Sequence, residues 1–208
     1  VSCWLKMPTD LSWQHKPLAK RKAGEMSTNY TLLVRPDLNY RGGFGVGSTS
    51  VGDLRPQFVF TYNPIPKNNY FMITGVFNNS EIKVFIDGIL KNSETPTVIP
   101  LANDSPLYIG CETGSGRFFN GHIDDIRIYN RTLSASEVHA LYELEKPIPL
   151  QPLTDANFQD AINLWFDSEA NATALYGPIS DWNVSAVTSM SQAFKGRTNF
   201  NEDISGWD

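Results

Sequence analysis

The chain reads as mainly β: an antiparallel β-sandwich, closed by a C-terminal helix and followed by a partial solenoid repeat. Three observations predict this. From residue 1 to 129, short β-type runs alternate with Gly, Pro and Asn turn signals, the pattern of a sandwich or barrel. Ser134 followed by Glu137 has capping-box spacing, so a helix starts there. Ile179-Ser180-Asp181-Trp182-Asn183 returns as Ile204-Ser205-Gly206-Trp207-Asp208, an offset of 25 residues, which is a period of stacked repeats rather than of a compact domain.

In chain order, the predicted strands cover residues 1–7, 30–35, 44–47, 57–62, 70–77, 81–86, 89–91, 107–110 and 117–129. Ile82, Val84 and Ile86 fall on one face by the strand period of two. Asp87-Gly88 supplies the two residues that tolerate positive φ in a type I′ hairpin turn. After the capped helix, Pro147, Pro149 and Pro152 deny both helix and central strand. The chain therefore divides into a sandwich over 1–145, a stiff linker over 146–153 and a repeat region over 154–208. In that last region Phe158, Ala161, Ile162, Trp165 and Phe166 form the apolar stripe of a helix, with Thr154 or Asp155 as its cap. Val187, Met190 and Phe194 fit a second short helical face.

Both ends are expected to be truncated. Val1-Ser2-Cys3-Trp4-Leu5 reads as the interior of a strand, and one repeat cannot bury its apolar side alone, so further repeats should follow residue 208.

Composition removes several functions. With 208 residues, 41% hydrophobic and 19% charged, this is a globular composition. A net charge of −5 argues against nucleic-acid partners, which need clustered Lys and Arg to displace counterions. The one basic run, residues 16–22, reads as a solvated loop. No apolar stretch has the length of a bilayer span. His15, His122 and His139 stand apart from any nucleophile motif, and no catalytic residue is assigned. Cys3 and Cys111 read either as one disulfide or as two buried thiols.

Asp124 and Asp125 would point to opposite faces of a strand unless a bulge intervenes, which weakens a catalytic pairing. Residues 201–206 match the first half of a calcium loop, with turn closure by Asn and Asp side chains the favoured reading. Asn29, Asn78, Asn103, Asn130, Asn171 and Asn183 open N-glycosylation sequons. Trp13, Tyr40 and Tyr62 are candidate loop aromatics for stacking on sugar rings.

Residues 70–142 resemble the C-terminal half of a laminin-G-like domain of the concanavalin A-like lectin and glucanase superfamily. The resemblance runs through Gly75-Val76-Phe77, residues 82–88, Leu107-Tyr108-Ile109-Gly110, the strand from Phe119 to Tyr129, and Leu133-Ser134 with Glu137 and Tyr142. The family's Trp-His before the central strand is replaced by Tyr70-Phe71, and a preceding N-terminal segment is missing. The resemblance implies a jelly-roll sandwich and a structural Ca²⁺, for which Asp124 is the candidate ligand; an ion pair with Arg127 or a turn-capping role are the competing roles.

Residues 153–208 resemble BspA-like, leucine-rich-repeat surface proteins through Phe158, Trp165, Trp182, Val187, Phe194 and Trp207. Together the resemblances imply a non-catalytic module at the cell surface or outside the cell, a lectin- or adhesion-like binder of a glycan or a surface protein. The alternatives are a glycoside hydrolase fragment of the same superfamily and an architectural cap for the repeats.

Overall fold

The computed structural model describes residues 1–9, 14–21, 28–47, 56–100, 104–112, 118–147 and 149–207. Trp13, Lys22, Asn103, Arg117 and Asp208, singled out above, lie outside them. The chain forms two compact units, Val1–Glu145 and Lys146–Asp208.

In the first unit the strands are β1 (Ser2–Lys6), β2 (His15–Arg21), β3 (Thr28–Arg35), β4 (Arg41–Val46) and β5 (Gln57–Phe60). They continue as β6 (Phe71–Phe77), β7 (Ile82–Ile86), β8 (Ile89–Glu94), β9 (Leu107–Ile109) and β10 (His122–Arg127). Two five-stranded sheets result, ordered β10-β1-β6-β7-β8 and β5-β4-β3-β2-β9, and their strand pairs are antiparallel. This is the jelly-roll sandwich.

Alternation builds the core. Cys3 and Leu5, Leu32 and Val34, and Ile82, Val84 and Ile86 meet between the sheets, as the period of two requires. The intervening residues Trp4, Met72, Val76 and Phe85 point the other way and pack with Leu133 and Val138, which brings helix α1 (Ala135–Glu145) onto the outer face of the first sheet. The helix starts with a complete capping box: the Ser134 amide donates to Glu137 Oε2 at 2.8 Å and the Glu137 amide to Ser134 Oγ at 3.2 Å. Trp4 fixes its far end, stacked on Tyr142 with centroids 5.8 Å apart and donating its indole N–H to Glu145. Asp87 and Gly88 turn β7 into β8 at φ 52° and 73°, the signs a type I′ turn demands.

Two expectations are corrected here. The basic run is not a solvated loop: it is strand β2, with Lys16 only 3% exposed and its ammonium 2.5 Å from Glu112. Glu112 also takes Arg21. Register slips between His15 and Leu18, and Pro17, which has no N–H for the ladder, sits in that irregularity. Nor do Cys3 and Cys111 form a disulfide; both are buried thiols. Cys3 faces the core from β1 in the first sheet, whereas Cys111 follows β9 in the second. Burial pushes the Cys3 thiol up to about 12.

The second unit contains helices α2 (Phe158–Asp167) and α3 (Glu169–Tyr176). Phe158, Ala161 and Ile162 are buried as the stripe predicts. Neither proposed cap holds: Asn157 occupies that place with its Oδ1 accepting the Thr154 amide, while Asp155 accepts the Thr188 amide and hydroxyl at 2.7 and 2.6 Å. The predicted helical face at Val187, Met190 and Phe194 is a run of turns instead. The repeated tryptophans stack in parallel, centroids 5.9 Å apart and planes 6° from each other. Each indole N–H donates 2.8 Å to a carbonyl, Trp182 to Gly177 and Trp207 to Ile179.

Candidate functional site

Helix α1 covers the first sheet, so the face to search is the outer face of the second. Alternation decides which side chains reach it. Phe44 points into the core, so its neighbours Gly43 and Gly45 present the outer face of β4. Opposite them on β5 stand Phe60 and Phe58. A Cβ on Gly43 would lie 2.7 Å from Phe60 Cδ1, and one on Gly45 would overlap the Phe58 ring. The two rings therefore occupy the space that side chains on β4 would fill, as aromatics commonly do opposite strand glycines. They are partly exposed and stack on each other, centroids 5.8 Å apart at 29°.

Beside them lie Arg35 and Arg41, direct partners across β3 and β4. The Arg35 guanidinium carbon stands 5.9 Å from the Phe60 ring centre. It also grips Asp37 with two hydrogen bonds, of 2.8 and 2.5 Å, and holds that carboxyl below its ordinary value.

A cavity of about 300 Å³ opens at one end of the sandwich. Phe44, Val46, Phe77 and Leu133 give it an apolar lining, and Asn29, Asn130, Arg131 and Thr132 a polar one. Much of that polar rim is already engaged: Arg131 pairs with Glu137 at 2.8 Å, and the Thr132 hydroxyl donates to the Phe77 carbonyl. The aromatic face offers more unused chemistry.

The sequence-predicted residues are scattered. Tyr62 is 68% exposed, two residues beyond Phe60. Tyr40 is half-buried against the core, its ring faced by the Lys67 ammonium at 3.5 Å, so it is closed to a sugar.

Asp124 and Asp125 do share a bulge. Two steps of β1, Ser2 to Trp4, oppose three of β10, Asp124 to Arg127, with Asp125 at φ 46°. Asp124 Oδ1 accepts the Asp125 amide at 2.8 Å, a turn-capping role. Arg127 instead pairs with Glu145. A Ca²⁺ ion takes six to eight oxygens, and no group of three acidic, His or Cys residues able to hold a metal exists among the described residues. In 201–206, Asp203 accepts the Ser205 amide at 3.0 Å and closes a turn.

Sequence reasoning missed Phe58 and Phe60. Their signal was present as Gly-Phe-Gly at 43–45 against Phe-Val-Phe at 58–60, but it becomes visible only once the register of β4 and β5 is known.

Two antiparallel five-stranded sheets, one with a helix on its outer face and the other carrying aromatic rings, define the class of jelly-roll β-sandwiches. The match over residues 1–139 to the family described as the concanavalin A-like lectin/glucanases superfamily makes this chain a member of it. Residues 156–208 match a family described as a Mycoplasma protein of unknown function, which carries no leucine-rich-repeat assignment. No curated protein matches significantly.

Among solved structures, the CBM40 of the Ruminococcus gnavus IT-sialidase bound to α2,3-sialyllactose is 15% identical, with TM-score 0.55 over 68% of this chain and 80% of that one. The binding domain of Paraclostridial Mosquitocidal Protein 1 is 17% identical, with TM-score 0.55 over 74% and 40%. Domain 4 of a GH43 extracellular arabinanase from Geobacillus stearothermophilus, in complex with arabinotriose, is 24% identical, with TM-score 0.49 over 68% and 64%. The chain spans less than two thirds of the last two. At these identities the first two likenesses show the fold. Among the described residues, no helix is long and apolar enough to cross a membrane.

Proposed function

We propose that residues 1–145 are a non-catalytic, extracellular glycan-binding module whose saccharide stacks on Phe58 and Phe60. The observation that carries this is the pair of partly exposed rings seated over Gly45 and Gly43, on a sheet face that no described helix covers. A sugar ring presents a face of C–H groups bordered by hydroxyls, and an aromatic ring held on a rigid strand meets that face at little entropic cost. The solved neighbours support a binding role, since they include a carbohydrate-binding module holding sialyllactose and a toxin binding domain.

Hydrolysis of a glycosidic bond needs two carboxylates flanking it. The five strands of this sheet contain neither Asp nor Glu, which supports binding without cleavage. For residues 154–208 we favour a surface-repeat role of the BspA-like kind; the parallel Trp182–Trp207 stack supports it. The test is a glycan array probed with the whole chain and with Phe60→Leu, which keeps an apolar cover on Gly43 without a ring. Retention of saccharides by the native chain and its loss in the variant is the expected result. An array with no retained saccharide would overturn the reading.

A further inference from the structure

We propose that the glycan bound at this face is acidic, its carboxylate or sulfate gripped by Arg41 beside Arg35. The proposal rests on the glycan-binding reading above and adds the ligand's charge.

The chain as a whole is acidic, with a net charge of −5. The second sheet is the opposite. Its strands carry Lys16, Lys20, Arg21, Arg35 and Arg41 and no acid. Four of the five cations are engaged: Lys16 and Arg21 with Glu112, Lys20 with the Ser105 carbonyl at 2.6 Å, and Arg35 with Asp37. The Arg41 side chain makes no hydrogen bond or ion pair among the described residues.

Its setting makes that vacancy chemically specific. Arg35 and Arg41 are direct cross-strand partners, and like charges in that arrangement repel. Asp37 neutralises one of the two, leaving one positive charge on the face with no counter-charge among the described residues. Gly43, two residues on from Arg41 and on the same side of β4, carries the Phe60 ring, and the Arg35 guanidinium stands over that ring. A guanidinium fork matches the two oxygens of a carboxylate or sulfate, while the ring beside it matches the sugar's C–H face. One saccharide unit bearing an acidic group satisfies both. A neutral sugar leaves Arg41 unanswered, and an anion without a sugar ring leaves the phenylalanines unused.

The experiment is calorimetric titration of the whole chain with four probes: sialyllactose, lactose, a sulfated heparin disaccharide and its desulfated counterpart. At least one acidic probe is expected to bind tenfold or more tightly than its neutral parent, and Arg41→Gln is expected to abolish that margin, so that the acidic probe binds no more tightly than its parent. The comparison of the two acidic probes assigns carboxylate or sulfate as the preferred group. Increasing salt from 50 to 300 mM should weaken the acidic probe alone, because the pair is partly exposed and screened. Equal affinity for acidic and neutral probes, or an unaltered margin in Arg41→Gln and Arg41→Ala with native melting temperatures, overturns the charge assignment and leaves glycan binding standing. Failure of all four probes overturns both.

Discussion

The two units of this chain are held together by different physics. In the sandwich, apolar side chains repeat on ten paired strands, and each contributes a modest share to a core spread over both sheets. Residues 146–208 form no strand among those described; they concentrate their core in rings. Among the described residues, nine ring pairs join Phe158, Trp165, Phe166, Tyr176, Trp182, Phe194, Phe200 and Trp207, against four in the longer sandwich unit. A core of many small shares tolerates the loss of one, whereas a core of few large shares does not. The lesson is that residue-level sensitivity should differ sharply between them.

The largest effect is expected at Trp182, which is 2% exposed. It stacks on Trp207, meets Tyr176, and donates to the Gly177 carbonyl. Trp182→Ala should cost about 3–5 kcal/mol, read as faster amide exchange across residues 153–207. The half-buried Trp207 should cost less. In the sandwich, Ile73→Val should cost only about 0.5–1.5 kcal/mol. Comparable losses at Trp182 and Ile73 would break the contrast.

Next comes an intolerance of the sandwich to crowding rather than to loss. A Cβ at Gly75 would overlap the ring of Phe44 across the core, so Gly75→Ala should destabilise by about 1–3 kcal/mol through overpacking, measured by urea denaturation. Gly196, with open space around it, is the control for sterics, since only its φ of 76° opposes a side chain.

A smaller effect is expected at the helix that closes the sandwich. Ser134→Ala removes half of the capping box and should cost about 0.5–2 kcal/mol, seen as earlier fraying of residues 135–138 in hydrogen exchange. The box also sets an acid limit. Hydrogen bonds from Arg131, then from Ser134, hold the Glu137 carboxyl down at about 2, below its ordinary 4.5. A depressed carboxylate stabilises the fold above its unfolded value, and that contribution is lost as pH falls through the folded one. The start of α1 should thus stay protected at pH 4 and lose protection towards pH 2. In the second unit, the Asp155 carboxyl is likewise lowered, by the Thr188 hydroxyl and then its amide, so the same acid titration should release the Thr188 turn only below the normal carboxylate range.

The smallest effect concerns a pair of buried hydroxyls. Ser2 and Thr74 are direct partners across β1 and β6, and neither oxygen has a hydrogen-bond partner. Thr74→Val should leave stability unchanged or raise it by up to about 1 kcal/mol; a clear loss would show that the hydroxyl is satisfied in solution.

Legibility in the sequence followed the same division. The hairpin turn at Asp87-Gly88, the core face of Ile82, Val84 and Ile86, and the box at Ser134 and Glu137 were readable because each signal is local. The 25-residue offset was readable along the chain, whereas the Trp182–Trp207 stack that accompanies it emerges only in the fold. Strand β2 was not readable: Lys16, Lys20 and Arg21 resemble a solvated run, and Lys16 is buried only because Glu112, 96 residues away, meets it. The bulge at Asp125 hid for the same reason, as it exists only relative to β1. The proposed binding face combines four residues from three strands, Arg35, Arg41, Phe58 and Phe60, none of which forms a motif along the chain. Register, not sequence proximity, assembles it.

The measurement that tests this most directly is chemical-shift mapping on the whole chain, titrated with the tightest acidic saccharide from the calorimetric series. Binding at the outer face of the second sheet should move the resonances of Arg35, Arg41, Gly43, Phe58 and Phe60 first, leaving Ile128 and Thr132 at the end cavity and the repeat tryptophans unmoved. Shifts confined to the end cavity or to residues 153–207 would contradict the assignment of the aromatic face as the glycan site.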